Sequence, residues 1–217
     1  MIPVQLAAEP ATFDAKVRRR GDDAMLELTG RIPSKPRRGR PRKVVARRRD
    51  QIPSGDFPPY WRDVLPEMRT LYASRCAYLA MYLEPATGSP TVDHVIPRSR
   101  NWRLVYEWSN YRLAASLVNS RKNDLETVLD PFTIAPETFA LDFTTLEVTA
   151  GAVGRQLPVL ELATTLSILN AADCCLQRAE YVDAYRAYDI SLRWLERRAP
   201  FIAQELRRQG KLNPGDT

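Results

Sequence analysis

The sequence predicts an α+β protein that is mostly helical, with a central ββα unit flanked by N-terminal helices and a helical C-terminal region. Strand-forming runs at 91–97 and 110–115 precede a stretch at 116–125 that favours a helix. Apolar residues at helical spacing then dominate from Pro158 to about Gln209. With 217 residues, 44% of them hydrophobic, the chain is long and apolar enough to bury a core.

Proline and glycine interrupt the first sixty residues. Short helices are expected at 11–18 and 24–28, on either side of a turn at Gly21-Asp22-Asp23. Three prolines and a glycine exclude a long helix from the residues that follow. We therefore expect an N-terminal segment at 1–30 and a basic arm or linker at 31–59, called the basic arm below.

Two further parts complete the chain. Residues 60–130 hold the central unit and begin with helical spacing over 60–74. Residues 131–217 begin with the alternating stretch FALDFTTLEVTAG at 139–151, which predicts a hairpin, and continue as helices. The expected core positions of the first of these helices are Leu160, Ala163, Leu166, Leu169, Ala172 and Leu176.

The formal charge of +6 conceals an uneven distribution. Residues 31–49 hold ten basic residues and no acidic one, which leaves 22 basic and 26 acidic residues elsewhere, a net charge of −4. A basic tract of this density is typical of a segment that binds a polyanion. The basic arm is therefore the expected contact to nucleic acid.

Composition also bears on the cellular compartment. No stretch approaches the roughly 18 to 20 apolar residues of a membrane span, and the first residues lack the pattern of a signal peptide. The three cysteines are odd in number and two are adjacent, at 174–175, which is a poor framework for disulfides. A protein of the reducing cytoplasm is expected, with no membrane partner.

The only histidine, His94, directly follows Asp93 in a predicted strand. Taken alone, this pair is either a structural histidine bonded to its neighbour or a catalytic pair. Asn110 follows after a loop, and Asn119 and Lys122 lie one helical turn apart on the next predicted helix.

These residues resemble the HNH nuclease family, whose ββα-metal unit has Asp-His on the first strand, Asn at the start of the second, and His or Asn on the helix. The similarity covers about residues 75–125 and rests on DHVIPRS and NYRLAASLVNSRK. It implies a metal-dependent endonuclease that hydrolyses phosphodiester bonds of DNA. The alternative is a degenerate scaffold, a non-catalytic subunit that only binds DNA.

The resemblance also implies a role for each residue. His94 is the general base, Asp93 and Asn119 bind one divalent cation, and Asn110 orients the catalytic loop. Asparagine stands where the family name has its last histidine. Because an amide oxygen is a harder ligand than imidazole, Mg²⁺ or Mn²⁺ is expected.

Many HNH proteins clamp this unit with a structural zinc on two Cys-x-x-Cys pairs. The four corresponding positions hold Cys76, Leu79, Ala115 and Val118. Because a tetrahedral thiolate site needs four ligands, no structural zinc is expected, and the apolar residues should form a small plug. The pair at 174–175 lies in an apolar helical stretch and is expected in the core.

The basic arm contains PRRGRPRK at 36–43, which resembles an AT-hook, a motif whose Arg-Gly-Arg-Pro core lies extended in the minor groove. Generic phosphate binding is an alternative, and an acidic partner surface is another. For Lys122, phosphate contact and a solvated helix position are equal alternatives. The expected nucleic-acid-binding residues are Lys122, Arg98, Arg100, Arg37, Arg38, Arg40, Arg42 and Lys43.

The layout of the whole chain is similar to that of the PtuB-type HNH effectors of the Septu and retron anti-phage systems. The similarity rests on Glu9-Pro10, RCAYLAMYLEP at 75–85 and ILNAADCCLQR at 168–178. It implies antiviral defence and a PtuA-like ATPase as partner. The helical C-terminal third, which the ββα unit does not need, is the expected docking surface.

Overall fold

Residues 13–28 of the N-terminal segment form one continuous helix. The computed structural model describes all residues, 1–217. A π-helical turn at Asp14–Arg18 continues as helix α1, Arg19–Leu28. The predicted turn at Gly21 is wrong, since this residue lies within α1. The glycine instead lets the helix approach the buried ring of Tyr106, because a Cβ at this position would lie 2.1 Å from Cδ2 of that ring.

The basic arm lies against α1. The backbone amides of Ser34 and Lys35 donate to the Asp23 carboxylate at 2.6 and 3.2 Å. Further along, the amide of Val45 donates to the carbonyl of Leu28 at 2.9 Å. Between these anchors the backbone has no helix or strand, as its prolines predict.

The central unit begins with a 3-10 turn at Tyr60–Val64 and helix α2 at Leu65–Leu71. Pro66 lies in the first turn of α2, where its missing amide hydrogen costs no helical bond. The helix predicted over 60–74 is therefore confirmed in type, although it ends earlier.

A small antiparallel sheet follows, made of strand β1 at Pro90–His94 and strand β2 at Tyr111–Ala115. Helix α3, Ser116–Lys122, continues directly from β2 and packs on both strands. The predicted order of two strands and a helix is confirmed, with each element shorter than predicted. The loop between the strands contains two 3-10 turns.

The C-terminal region contains the predicted hairpin and a run of helices. Strands β3 and β4, Phe139–Leu141 and Val148–Ala150, pair antiparallel. The helices that follow are α4 at Val159–Leu169, α5 at Ala172–Arg186, α6 at Leu192–Arg198 and α7 at Pro200–Arg208.

Most of the core positions predicted in α4 and α5 are wrong. Leu169 is buried, but Leu160 and Leu176 are 66% and 62% exposed. Polar residues take part of the buried face instead, including Thr165 and Arg178, whose polar groups have hydrogen-bond partners.

The protein is of the α+β class and is 41% helical. One cluster of 39 buried residues joins the N-terminal helix, the small sheet and the last helix, with Phe13, Tyr111 and Ile202 as members. No single helix is long and apolar enough to cross a membrane. Helices α4 and α5 have the required length and apolarity only when they are taken together, and the pair is bent by 64°.

Candidate functional site

An open cleft of about 310 Å³ lies where β1, α3 and the turn before α2 meet. Four of the residues singled out from the sequence line it: Asp93 and His94 at the end of β1, Asn119 on α3, and Arg98 in the loop after β1. Asn110, Lys122 and Arg100 do not line it.

His94 is 8% exposed and held in one orientation. Its Nε2 lies 3.0 Å from the carbonyl oxygen of Val105. Because a carbonyl only accepts, Nε2 carries the proton and Nδ1, without a protein partner, keeps a free lone pair. The rings of Trp61 and Tyr111 meet the imidazole edge-on, with centroids at 4.9 and 5.1 Å.

The pKa of His94 is lowered to about 3, mainly by burial and in smaller part by the nearby charges of Arg98 and Lys122, while the hydrogen bond to Val105 opposes the shift. The imidazole is therefore neutral at pH 7. Neutral imidazole with a free nitrogen is the form that accepts a proton.

Asn110 closes the loop that carries the Val105 carbonyl. Its Oδ1 accepts from the amide of Ile96 at 2.8 Å, and its Nδ2 donates to the carbonyls of Ile96 and Leu104 at 3.0 and 3.1 Å. Asn110 is buried outside the cleft. It therefore acts on His94 indirectly, by fixing the loop.

Lys122 differs from both sequence interpretations. It is 1% exposed, so it neither contacts phosphate nor lies in solvent. Its ammonium lies 3.2 Å from Oδ1 of Asp93 and donates to the carbonyls of His94 and Val95 at 2.8 and 3.2 Å. It lies one helical turn beyond Asn119 on α3, where its side chain is buried against the end of β1.

Asp93 is 2% exposed and has two partners. The hydroxyl of Tyr78 donates to Oδ2, and the ammonium of Lys122 pairs with Oδ1. Burial raises the pKa of the Asp93 carboxyl, and Lys122 opposes that shift. The charge of Asp93 is thus balanced within the protein.

The oxygen donors at the cleft fit a hard divalent cation. Asn119 is anchored through Nδ2, which donates to Oγ1 of Thr91 at 3.3 Å and to the carbonyl of Val92 at 3.4 Å. Its Oδ1 has no protein partner and remains available as a ligand. Carboxylate and amide oxygens are the ligands of Mg²⁺ and Mn²⁺.

The donor set is small. No three His, Cys, Asp or Glu side chains come close enough in the structure to hold a metal ion together. Asp93 and Asn119 therefore suit an ion that keeps several waters rather than a closed protein cage. Asp124, just beyond α3, also lines the cleft and adds a second carboxylate.

Two arginines line the cleft. Arg98 is half-buried, with its guanidinium over the Trp61 ring at 4.9 Å and Nη1 donating to the carbonyl of Ser54 at 2.9 Å. Arg62 is exposed, lines the same cleft and has no ion-pair partner. Arg100 lies outside the cleft, where Nε is 3.3 Å from the carboxylate of Glu126.

Sequence reasoning missed Arg62 and Asp124. Arg62 directly follows the buried Trp61, and Asp124 lies two residues beyond Lys122, so both are next to residues that the pattern does identify. No motif marks either one. Arg62 lies at the cleft because it belongs to the 3-10 turn before α2, and Asp124 lies there because it is just beyond the end of α3.

The four positions that correspond to a zinc clamp pack as apolar groups. Cys76 and Val118 are buried, and Leu79 and Ala115 lie partly buried against the core. The amide of Ala115 donates to Sγ of Cys76 at 3.4 Å, which links the 76–79 pair to the 115–118 pair. In the C-terminal pair at 174–175, the first cysteine is buried and the second is half-buried.

The basic arm presents most of its cations to solvent. Those that are exposed and form no ion pair include Arg37, Arg38, Arg40 and Lys43. Arg42 corrects the prediction of a nucleic-acid contact: its Nη2 donates to the Tyr60 hydroxyl at 2.8 Å, and Nε lies 3.4 Å from Glu27. Arg42 therefore anchors the arm to the body.

The tip of the basic arm is bent. Gly39 has a φ of 93°, so the Arg-Gly-Arg-Pro core does not have the extended form of a bound AT-hook. Near its end the arm reaches the cleft, where the carbonyl of Ser54 accepts from Arg98 at 2.9 Å. The guanidinium of Arg49 lies 5.7 Å from the ring of Trp102, outside the cleft lining.

The cleft thus combines a neutral imidazole with a free nitrogen, hard oxygen donors and two arginines. A base, ligands for a divalent ion and fixed positive charge are the groups that hydrolysis of a phosphodiester requires. In comparisons with known proteins, no family model, no curated protein and no solved structure matches this chain.

Proposed function

We propose that the protein is a metal-dependent endonuclease of the HNH type that hydrolyses phosphodiester bonds of DNA. One observation carries the proposal: the free Nδ1 of His94 lies at the same cleft as the oxygen ligands Asp93 and Asn119 and the cations Arg62 and Arg98. A histidine with only a structural role would not require metal-binding oxygens and two arginines at the same cleft.

His94 accepts a proton from the attacking water at Nδ1 as the water oxygen bonds to phosphorus and the leaving oxygen departs. The Val105 carbonyl keeps the proton on Nε2, so the ring is in the correct tautomer before substrate arrives. A pKa of about 3 is low for a base, but an anionic phosphate beside the ring stabilises imidazolium and raises it.

Asp93, Asn119 and Asp124 are the residues that would hold one Mg²⁺ or Mn²⁺. When bound, such an ion supplies positive charge beside the phosphate and the leaving oxygen. Arg98 and Arg62 bind the phosphate oxygens from the other side of the opening. Arg98 is held for this by Trp61 and by the carbonyl of Ser54.

The basic arm supplies affinity for DNA. The exposed Arg37, Arg38, Arg40 and Lys43 have no acidic partner in the protein, so they are available to phosphates or to the minor groove. Because the arm reaches the cleft near its end, DNA held by the arm lies next to His94.

We extend the proposal to antiviral defence, with a PtuA-like ATPase as partner. Support comes from the C-terminal helices, where Val159, Leu160 and Leu176 are 82%, 66% and 62% exposed. Exposed apolar side chains on neighbouring helices are typical of a protein contact. Leu160→Asp with Leu176→Asp should abolish copurification with the ATPase while leaving cleavage of DNA unchanged.

The decisive experiment is cleavage of supercoiled plasmid by the purified protein in Mg²⁺, Mn²⁺ or EDTA. We expect nicking in either metal and none in EDTA, since one active unit per chain cuts one strand. His94→Ala should lower the rate about 10²- to 10⁴-fold and leave DNA binding intact. Asn119→Ala should show the same loss.

A matched pair of arginine variants tests the cleft itself. Arg62→Ala should raise the KM for DNA, whereas Arg100→Ala, an equally exposed arginine outside the cleft, should not. Cleavage that survives His94→Ala would overturn the mechanism. Binding without any metal-dependent cleavage in the wild type would favour the alternative, a non-catalytic DNA-binding subunit.

A further inference from the structure

Lys122 is the only cationic side chain within ion-pair distance of Asp93, and Asp93 is its only acidic partner. Both side chains are almost fully buried. The other two contacts of the ammonium are the carbonyls of His94 and Val95, so all three of its acceptors come from the end of β1 and the residue that follows it.

The buried carboxylate needs a counter-charge, because an isolated ion in the protein interior is costly. Lys122 supplies that charge from within the protein. A divalent cation bound by Asp93 would also supply positive charge to the same carboxylate. The ammonium and the metal ion are therefore alternatives for the balance of charge at Asp93.

We propose that Lys122 is an internal counter-cation that competes with the divalent ion for Asp93 and keeps metal binding at the cleft weak. The inference rests on the proposed function, since it takes Asp93 and Asn119 as metal ligands. Lys122 is a positioning residue: it fixes the carboxylate and the backbone around His94, and repulsion between like charges at short range lowers the affinity for metal.

The first test is calorimetric titration of the full-length, metal-free protein with Mn²⁺. Lys122→Met should bind Mn²⁺ at least about tenfold more tightly than the wild type, because it removes a unit charge beside the ligand. The matched control is Arg121→Met, which removes the same charge one residue away, where the guanidinium pairs with Asp173 at 2.7 Å. It should stay within about threefold of the wild type.

The second test is thermal unfolding with and without Mn²⁺, because Lys122→Met leaves a buried carboxylate without its partner. Mn²⁺ should raise the melting temperature of Lys122→Met more than that of the wild type. If Lys122→Met folds only when Mn²⁺ is present, the metal has replaced the ammonium, which also supports the inference. Lys122→Gln, a neutral variant that keeps an N–H donor, provides a folded protein for the titration.

The outcomes separate this inference from the proposed function. One outcome is that Asn119→Ala loses Mn²⁺ binding, while Lys122→Met and Lys122→Gln bind Mn²⁺ no more tightly than the wild type. This result would overturn the role of Lys122 as a counter-cation and would still support the metal site. Equal tightening in Arg121→Met would also overturn that role. If neither wild type nor Lys122 variants bind Mn²⁺ in a manner that depends on Asn119, the metal site and this inference both fail.

Discussion

Replacing Asn110 by alanine should destabilise the protein and release the loop that orients His94. The buried side chain makes three hydrogen bonds, at 2.8, 3.0 and 3.1 Å, to the partly buried backbone of Ile96 and Leu104. At a net value of about 0.5–1.5 kcal/mol each, the loss is about 2–4 kcal/mol. The Val105 carbonyl, which holds Nε2 of His94, lies next to one of these anchors.

Urea unfolding measures the loss, and Asn101→Ala is the control. Asn101 lies in the same loop but makes one exposed bond, with Oδ1 accepting from the amide of Arg103 at 3.0 Å. We expect Asn101→Ala to cost about 0.5–1 kcal/mol. A difference of less than about 1 kcal/mol between the two variants would refute the clamp assigned to Asn110.

The orientation of the base is measured separately by nitrogen NMR. His94 is the only histidine in the chain, so the imidazole resonances need no assignment. The wild type should show the Nε2–H tautomer, and Asn110→Ala should show exchange between tautomers together with a lower kcat for DNA cleavage. A fixed Nε2–H tautomer in Asn110→Ala would mean that the loop does not depend on Asn110.

Two further predictions concern Tyr106 and the basic arm. Gly21→Ala should lower the free energy of unfolding by about 1–3 kcal/mol in thermal unfolding, because a Cβ would lie 2.1 Å from the ring of Tyr106. The control Gly55→Ala, with no atom within 4 Å of its Cβ, should change it little, and equal losses in the two variants would contradict this packing. Removing Arg38 and Arg40 together should reduce the slope of log K against log salt for duplex DNA by about two, at roughly 0.9 per phosphate contact, and an unchanged slope would exclude them from the interface.

The local order of elements was predictable because it depends on neighbouring residues. The strand-forming runs around His94 and after Asn110 predict the two strands, and the helix follows at the predicted place. Asp93 and Asn119 are singled out by the resemblance to the HNH motif, and both line the cleft.

What the sequence could not show is which helix face becomes buried. Lys122 and Asn119 lie one helical turn apart and both contact β1, yet Lys122 is buried and Asn119 reaches the cleft. Leu160 has the spacing of a core residue and is exposed, whereas Arg178 has no apolar character and is buried. Burial of this kind is decided by distant elements that no local pattern contains.

The same limit applies to the basic arm. Its prolines predict an irregular segment, and residues 31–48 confirm this, since they contain no helix, no strand and no buried residue, whereas Ile52 and Phe57 near the end of the arm belong to the core. Arg42 does not differ in type from its neighbours, but it alone meets Glu27 and Tyr60. Arg42 anchors the arm because Glu27 and Tyr60, which lie 15 and 18 positions away in the sequence, contact it in the folded protein.

The environment of His94 makes a final prediction about acid. Its pKa is about 3 in the folded protein and about 6.5 in the unfolded chain, so the unfolded state binds the proton first as the pH falls. The contribution of neutral His94 to the free energy of unfolding is therefore fully present above pH 6.5 and decreases below it. At pH 5 the free energy of unfolding is lower by about 2 kcal/mol, and this loss would be almost the same if the pKa in the folded protein were 4.

His94→Gln isolates this contribution, because the chain has no other histidine and all carboxylates titrate in both proteins. Urea unfolding at pH 7 and pH 5 should show that the wild type loses about 2 kcal/mol more than His94→Gln over this interval. Equal losses would mean that His94 is protonated within the folded protein at pH 5. The imidazole would then be solvated rather than buried beside Trp61, and the fixed lone pair on Nδ1 could not be the base.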